Sequence, residues 1–225
     1  MSISKISLNK LGEYMTATPA RRRSIIEDQI TPKNFIAARY TDARKNISDY
    51  IVGNISDNRL EQIAIELRNK TYDTNFIAQD KNLSADAIDS FLDISDELPT
   101  NYKLEKTPAN TTATLVISGV DVSIRPDVYI KNDNNEVVGA VKLHFPKSNP
   151  LTTTSGDYVA TALKAFLEEN SSTPISPKLC IVIDVPSSTV ITAPKAGKKR
   201  MMDLEAACEE IHVHFIAKKS NLIAK

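Results

Sequence analysis

The sequence predicts an α/β protein, in which helices pack on a sheet, and three observations support this prediction. β-Branched residues dominate residues 112–145, and turn-forming residues divide this stretch into three successive strands. Residues 178–185, KLCIVIDV, form a nearly all-apolar run, which is typical of a central strand covered on both faces. Most of residues 1–98, and the segment between the two strand regions, carry apolar residues at helical spacing.

The N-terminal part of the chain is predicted to form helices joined by short connections. Ser7 and Thr18 are good N-cap residues, and Pro19 suits the first position of a helix. The predicted helices run from Leu8 to Met15, from Pro19 through Ile30, from Pro32 to about Ile51, from Asp57 to Lys70 and, behind an N-cap at Ser84, from Ala85 to Leu92.

A linker is predicted between this helical part and the strands. Residues 93–111 are polar and contain Pro99 and Pro108, both of which interrupt regular structure. The predicted domains are therefore a helical N-terminal region, residues 1–98, and an α/β core, residues 99–225.

The core is predicted to begin with the three strands. The first two run through LVISGVDV and SIRPDVYIK, with kinks at Gly119 and Pro126. A polar turn follows, and the third strand runs from Glu136 to Phe145.

The rest of the core is predicted to cross over the sheet and return to it. An amphipathic helix from Gly156 to Glu169 precedes the strand at 178–185, so the third and fourth strands are expected to be parallel and joined by a right-handed crossover. A short strand at Val190 to Thr192, a helix from Lys198 onward and an edge strand at VHFIAKK complete the predicted order.

Composition gives few clues to the function. Lys plus Arg and Asp plus Glu are equal at 28 each, so the net charge does not indicate a nucleic-acid partner, although local clusters can. Two cysteines favour a reducing compartment. The first residues lack the apolar core of a signal peptide, and no apolar run reaches the roughly 20 residues that span a bilayer. We therefore expect a cytoplasmic location and no membrane partner.

Two residues in the strand region suggest chemistry. Asp127 follows Pro126, and Lys142 lies fifteen residues later on the third predicted strand. Together with the αβββαβ order of elements, this pattern resembles the PD-(D/E)XK nuclease superfamily over about residues 112–185. The resemblance implies a restriction-endonuclease-like core and Mg²⁺-dependent cleavage of DNA. In that superfamily two acids hold the metal, and a lysine two residues past the second acid orients or activates the attacking water.

The match to this motif lacks one acid. Asp127 corresponds to the first acid and Lys142 to the lysine, and both are therefore catalytic candidates. Strand alternation places Ala140, Lys142 and His144 on one face, so Ala140 stands where the second acid is expected. Either another acid replaces it, or the site is inactive and the fold serves binding. Acids that could replace it, and thus join Asp127 as metal ligands, are Glu61, Glu66 and Asp121.

Two basic clusters are candidates for contact with DNA. Arg21, Arg22 and Arg23 form one, and Lys198, Lys199 and Arg200 form the other. Either cluster could contact phosphates, which positions a duplex without reading its sequence. The alternative interpretation is a solvated charged surface.

Three functions follow from the sequence. The first is a Mg²⁺-dependent DNA nuclease that uses Asp127 and Lys142. The second is a catalytically inactive nuclease-like protein that binds nucleic acid or a protein partner. The third is a structural protein whose helical region forms a homo-oligomer. In the last two, the pair of Asp127 and Lys142 is a structural ion pair.

Overall fold

The computed structural model describes residues 4–31, 39–108, 111 and 113–223, and within them it confirms an α/β fold with two sheets. The helices are α1 (Leu8–Thr16), α2 (Pro19–Ile30), α3 (Thr41–Ile51), α4 (Asp57–Asn69), α5 (Asn75–Leu92), α6 (Thr153–Asn170) and α7 (Lys198–Ile223). The strands are β1 (Ser4–Ser7), β2 (Lys103–Lys106), β3 (Ala113–Ile117), β4 (Val120–Ile124), β5 (Val128–Lys131), β6 (Val137–His144), β7 (Cys180–Asp184) and β8 (Thr189–Thr192).

The larger sheet has five strands in the order β2-β5-β6-β7-β8. β6 and β7 are parallel, as predicted, and α6 is the connection between them. The other neighbours are antiparallel. Gly139 in β6 allows β6 and the residues before β7 to approach closely, because a Cβ at this position would lie 2.4 Å from the carbonyl oxygen of Leu179.

The smaller sheet has three strands in the order β1-β4-β3 and corrects the strand prediction. The predicted first strand, LVISGVDV, is instead the hairpin of β3 and β4. Ser118 and Gly119 turn the chain with φ angles of 44° and 79°, and a two-residue turn of type I′ requires positive φ at both positions. β4 and β5 flank Pro126 but belong to different sheets. β1, which pairs in parallel with β4, was not predicted because it has only four residues.

Three further elements differ from the prediction. Helix α5 begins behind an N-cap at Thr74, and Ser84 is a buried residue inside it. The predicted linker contains β2, which pairs with β5 at the edge of the larger sheet. The predicted C-terminal edge strand is instead helical, because α7 continues through it without a glycine or proline to end the helix.

The helix starts agree better with the sequence. The hydroxyl groups of Ser7 and Thr18 accept hydrogen bonds from the first turns of α1 and α2, as predicted. The predicted start of the third helix at Pro32 lies outside the described residues, and α3 is described from Thr41.

Two apolar layers cover the two faces of the larger sheet. One contains residues of α1, α2, α6, α7 and the smaller sheet, and the other contains residues of α3, α4 and α5. Along β6, Ala140 belongs to the first layer, whereas Val141 and Leu143 belong to the second.

The predicted domain boundary near residue 98 stays a prediction. No helix among the described residues is long and apolar enough to cross a membrane.

Both cysteines are free thiols in the core. Cys180 and Cys208 are fully buried, and burial raises the pKa of each thiol to about 12. We expect neither to react with a chromogenic disulfide reagent at mildly alkaline pH, because the thiolate is the reactive form. Both should react once the protein is unfolded in denaturant. Rapid stoichiometric labelling of the native protein would contradict this burial.

Candidate functional site

The structure brings Asp127 and Lys142 together. Asp127 immediately precedes β5, and the antiparallel register of β5 with β6 places it opposite Lys142. The Nζ atom of Lys142 donates a hydrogen bond to Oδ2 of Asp127 at 3.2 Å. Asp127 is 9% exposed and Lys142 is 8% exposed, so this is a buried ion pair.

A third charged residue completes this group. Arg44, from α3, donates to Oδ1 of Asp127, and its guanidinium lies 4.9 Å from the centre of the Phe145 ring. The backbone N–H of Leu143 donates to Oδ2 of Asp127 at 2.8 Å. Each oxygen of Asp127 therefore already accepts a hydrogen bond from a cationic side chain. We call Arg44, Asp127 and Lys142 the Asp127 cluster.

The cluster keeps Asp127 ionised. Burial raises the pKa of Asp127, but the charges of Lys142 and Arg44 and the Leu143 N–H lower it by more, so the net shift is downward. Burial lowers the pKa of Lys142, and the charge of Asp127 opposes this shift. Lys142 also donates to the carbonyl oxygen of Arg125 at 2.7 Å, so its ammonium group has two acceptors.

A second polar pair lies further along the same strand. The Nε2 atom of His144 is 2.9 Å from the carbonyl oxygen of Asn149 and 3.7 Å from Oδ1 of Asp184, at the end of β7. Oδ2 of Asp184 accepts from the hydroxyl group of Ser187. Burial lowers the pKa of His144 by more than the Asn149 carbonyl and Asp184 raise it, so the net shift is downward.

Arg44 and Asp184 were not predicted from the sequence as members of these groups. Arg44 is 83 residues from Asp127, and nothing in the local pattern distinguishes it from other charged residues of its helix. The sequence contains a weak indication that Asp184 belongs to a site, since it is the single charged residue in the run CIVIDV, at the end of a buried strand.

Ala140 supplies no ligand where the resemblance requires an acid. Its side chain is fully buried in the apolar layer that contains α6. In the register of the larger sheet its neighbours are Tyr129 and Cys180. Neither neighbour is a carboxylate.

The acids considered as replacements lie elsewhere. Glu61 and Glu66 are exposed on α4, and Glu66 forms an ion pair with Arg59. Asp121 is in the smaller sheet, in register with Lys5 and Val116.

A magnesium centre therefore does not fit the residues around Asp127. Within the described ranges, no group of three or more His, Cys, Asp or Glu side chains is placed to hold a metal ion. A magnesium site needs oxygen ligands, whereas the side-chain oxygens of Asp127 accept hydrogen bonds from two cations and a backbone N–H.

The structure also separates the basic candidates by their contacts. Three of them form ion pairs: Arg21 with Glu13, Arg22 with Glu210, and Arg200 with Asp157. The other three, which are exposed and form no ion pair with any described residue, are Arg23, Lys198 and Lys199.

No family model matches this chain, and a search of curated proteins finds no match. The fold and the site define it as an α/β protein with two mixed sheets and a buried carboxylate–ammonium pair that a partly exposed arginine covers. Its function must be inferred from these features.

Proposed function

We propose that this protein is a nuclease-like α/β protein that binds DNA and does not cleave it through a metal at Asp127. The observation that carries this proposal is the occupation of both Asp127 oxygens by Arg44, Lys142 and the Leu143 N–H. Ala140, at the position of the second acid, is buried and supplies no ligand. Such an arrangement stabilises a strand junction but offers no second carboxylate to a metal.

The order of elements supports the nuclease-like core. A hairpin precedes Asp127, Lys142 lies on the next strand, and α6 connects that strand to its parallel neighbour β7. The parallel crossover from β6 to β7 agrees with the αβββαβ order of the PD-(D/E)XK superfamily, whereas the hairpin before Asp127 lies in the smaller sheet. A fold alone does not establish activity, so the site and the charges must decide between cleavage and binding.

The unpaired cations support DNA as the partner. Arg23, Lys198 and Lys199 are exposed, and among the described residues none is neutralised by an acid. When such cations bind the phosphates of DNA, the counterions that were condensed on the DNA are released. The affinity for DNA therefore depends strongly on salt.

A second candidate function is Mg²⁺-dependent cleavage. It is favoured by the contact of Asp127 with Lys142 on one face of the sheet. It requires Arg44 to leave Asp127 and an acid to reach the site from elsewhere.

The test combines binding and cleavage in one preparation. We expect duplex DNA to raise fluorescence anisotropy when the protein is added, with an affinity that falls as salt increases. We expect supercoiled plasmid to stay intact with Mg²⁺ or Mn²⁺. Metal-dependent nicking that is lost in Lys142→Ala, with circular dichroism showing that this variant is folded, would instead establish the second candidate. A defined oligomer without DNA binding would favour a structural protein.

A further inference from the structure

A cavity of about 470 Å³ lies between α6 and the residues that lead into α7. Its walls include Thr161, Lys164 and Glu168 from α6. Lys195 and Lys198 line it from the other side. The cavity is separate from the Asp127 cluster, none of whose residues lines it.

The charges around this cavity are unbalanced. Lys164 is paired with Glu168, which leaves Lys195 and Lys198 as the unneutralised cations of the lining. Both are exposed, and neither forms an ion pair with a described residue. The chain as a whole has equal numbers of positive and negative residues, so this local excess is not a consequence of a basic composition.

The lining indicates which part of a ligand would be recognised. It contains no aromatic side chain on which a base could stack, and its neutral members are small or aliphatic residues such as Ala165, Ala196 and Met201. Two lysines in a concave site are suited to phosphate oxygens, since an ammonium group is a compact charge with several donors.

We propose that this cavity binds backbone phosphates of nucleic acid through Lys195 and Lys198. This inference rests on the proposed function, because it places one DNA contact in a defined site. It also extends that function, since recognition here is of phosphate and not of sequence. A free phosphate compound offers the same chemistry, and the experiment separates the two sources.

The first arm measures the salt dependence of duplex binding by the full chain. Each phosphate contact contributes about 0.9 to the slope of log affinity against log salt, so Lys195→Gln with Lys198→Gln should reduce the slope by about 1.8. The matched control is Lys70→Gln with Lys178→Gln, which removes the same charge at exposed positions outside the cavity. We expect the control to keep the wild-type slope. An equal loss in both variants, or no loss in the first, would overturn the proposal.

The second arm uses inorganic pyrophosphate as the probe and NMR of the backbone amides as the readout. Gly197 and Thr161 should show saturable shifts in the wild type and none in the cavity variant. Pyrophosphate binding without DNA binding would refute both the proposed function and the polynucleotide assignment, and leave a site for free phosphate compounds. DNA binding with an unchanged slope in the cavity variant would refute only the cavity assignment.

Discussion

Replacing Asp127 with leucine is expected to lower the free energy of unfolding by about 3–5 kcal/mol, because it leaves the buried ammonium group of Lys142 without its counterion. The Leu143 N–H would also lose its acceptor. Adding Lys142→Met should restore much of this loss, since removing both charges is far less costly than removing one. Urea denaturation of the single and double variants measures both effects.

The control for this experiment is Asp89→Leu. Asp89 pairs with Arg68 in an exposed position, and exposed ion pairs contribute only about 0–1 kcal/mol. An effect at Asp127 as small as that at Asp89 would show that the cluster is not a buried ion pair.

The contribution of Asp127 should also depend on pH in a defined direction. Its pKa in the folded protein lies below the ordinary value of 3.8. The stabilisation is therefore fully present above that value and is lost as the pH falls through the folded pKa. The difference between wild type and Asp127→Leu should stay constant from neutral pH to about pH 5 and narrow only below about pH 3.8.

Introducing a glutamate at Ala140 is expected to destabilise the fold by roughly 3 kcal/mol, because the longer, charged side chain would enter an apolar layer that has no space for it. The substitution would supply the acid that the nuclease motif lacks in the sequence, but it would not create a metal site in the structure. We expect Mn²⁺ to leave the melting temperature of this variant unchanged, since Asp127 remains bound to Arg44 and Lys142.

The control is Ser123→Glu, which places the same side chain at an exposed position of β4. It should be close to wild type in stability. If the Ala140 variant were as stable as this control and Mn²⁺ raised its melting temperature, Asp127 would be able to exchange its cationic partners for a metal, and the nuclease function would become the better proposal.

Local patterns were sufficient to predict much of the architecture. The capping hydroxyl groups of Ser7 and Thr18 identified two helix starts, because the cap interaction spans only three residues. The helix between two strands predicted the parallel pairing of β6 and β7. The hairpin at Gly119 was missed because a strand with a glycine kink and a tight turn have nearly the same local composition.

The sequence by itself determined the α/β class, most helix starts and the placement of Lys142 on one face of its strand, because all of these depend on neighbours within a few residues. Only the tertiary structure decided that Arg44 covers Asp127, that Ala140 is enclosed by apolar residues and that the strands form two sheets. These features depend on contacts between segments far apart in the chain, and local periodicity carries no information about which distant segments meet.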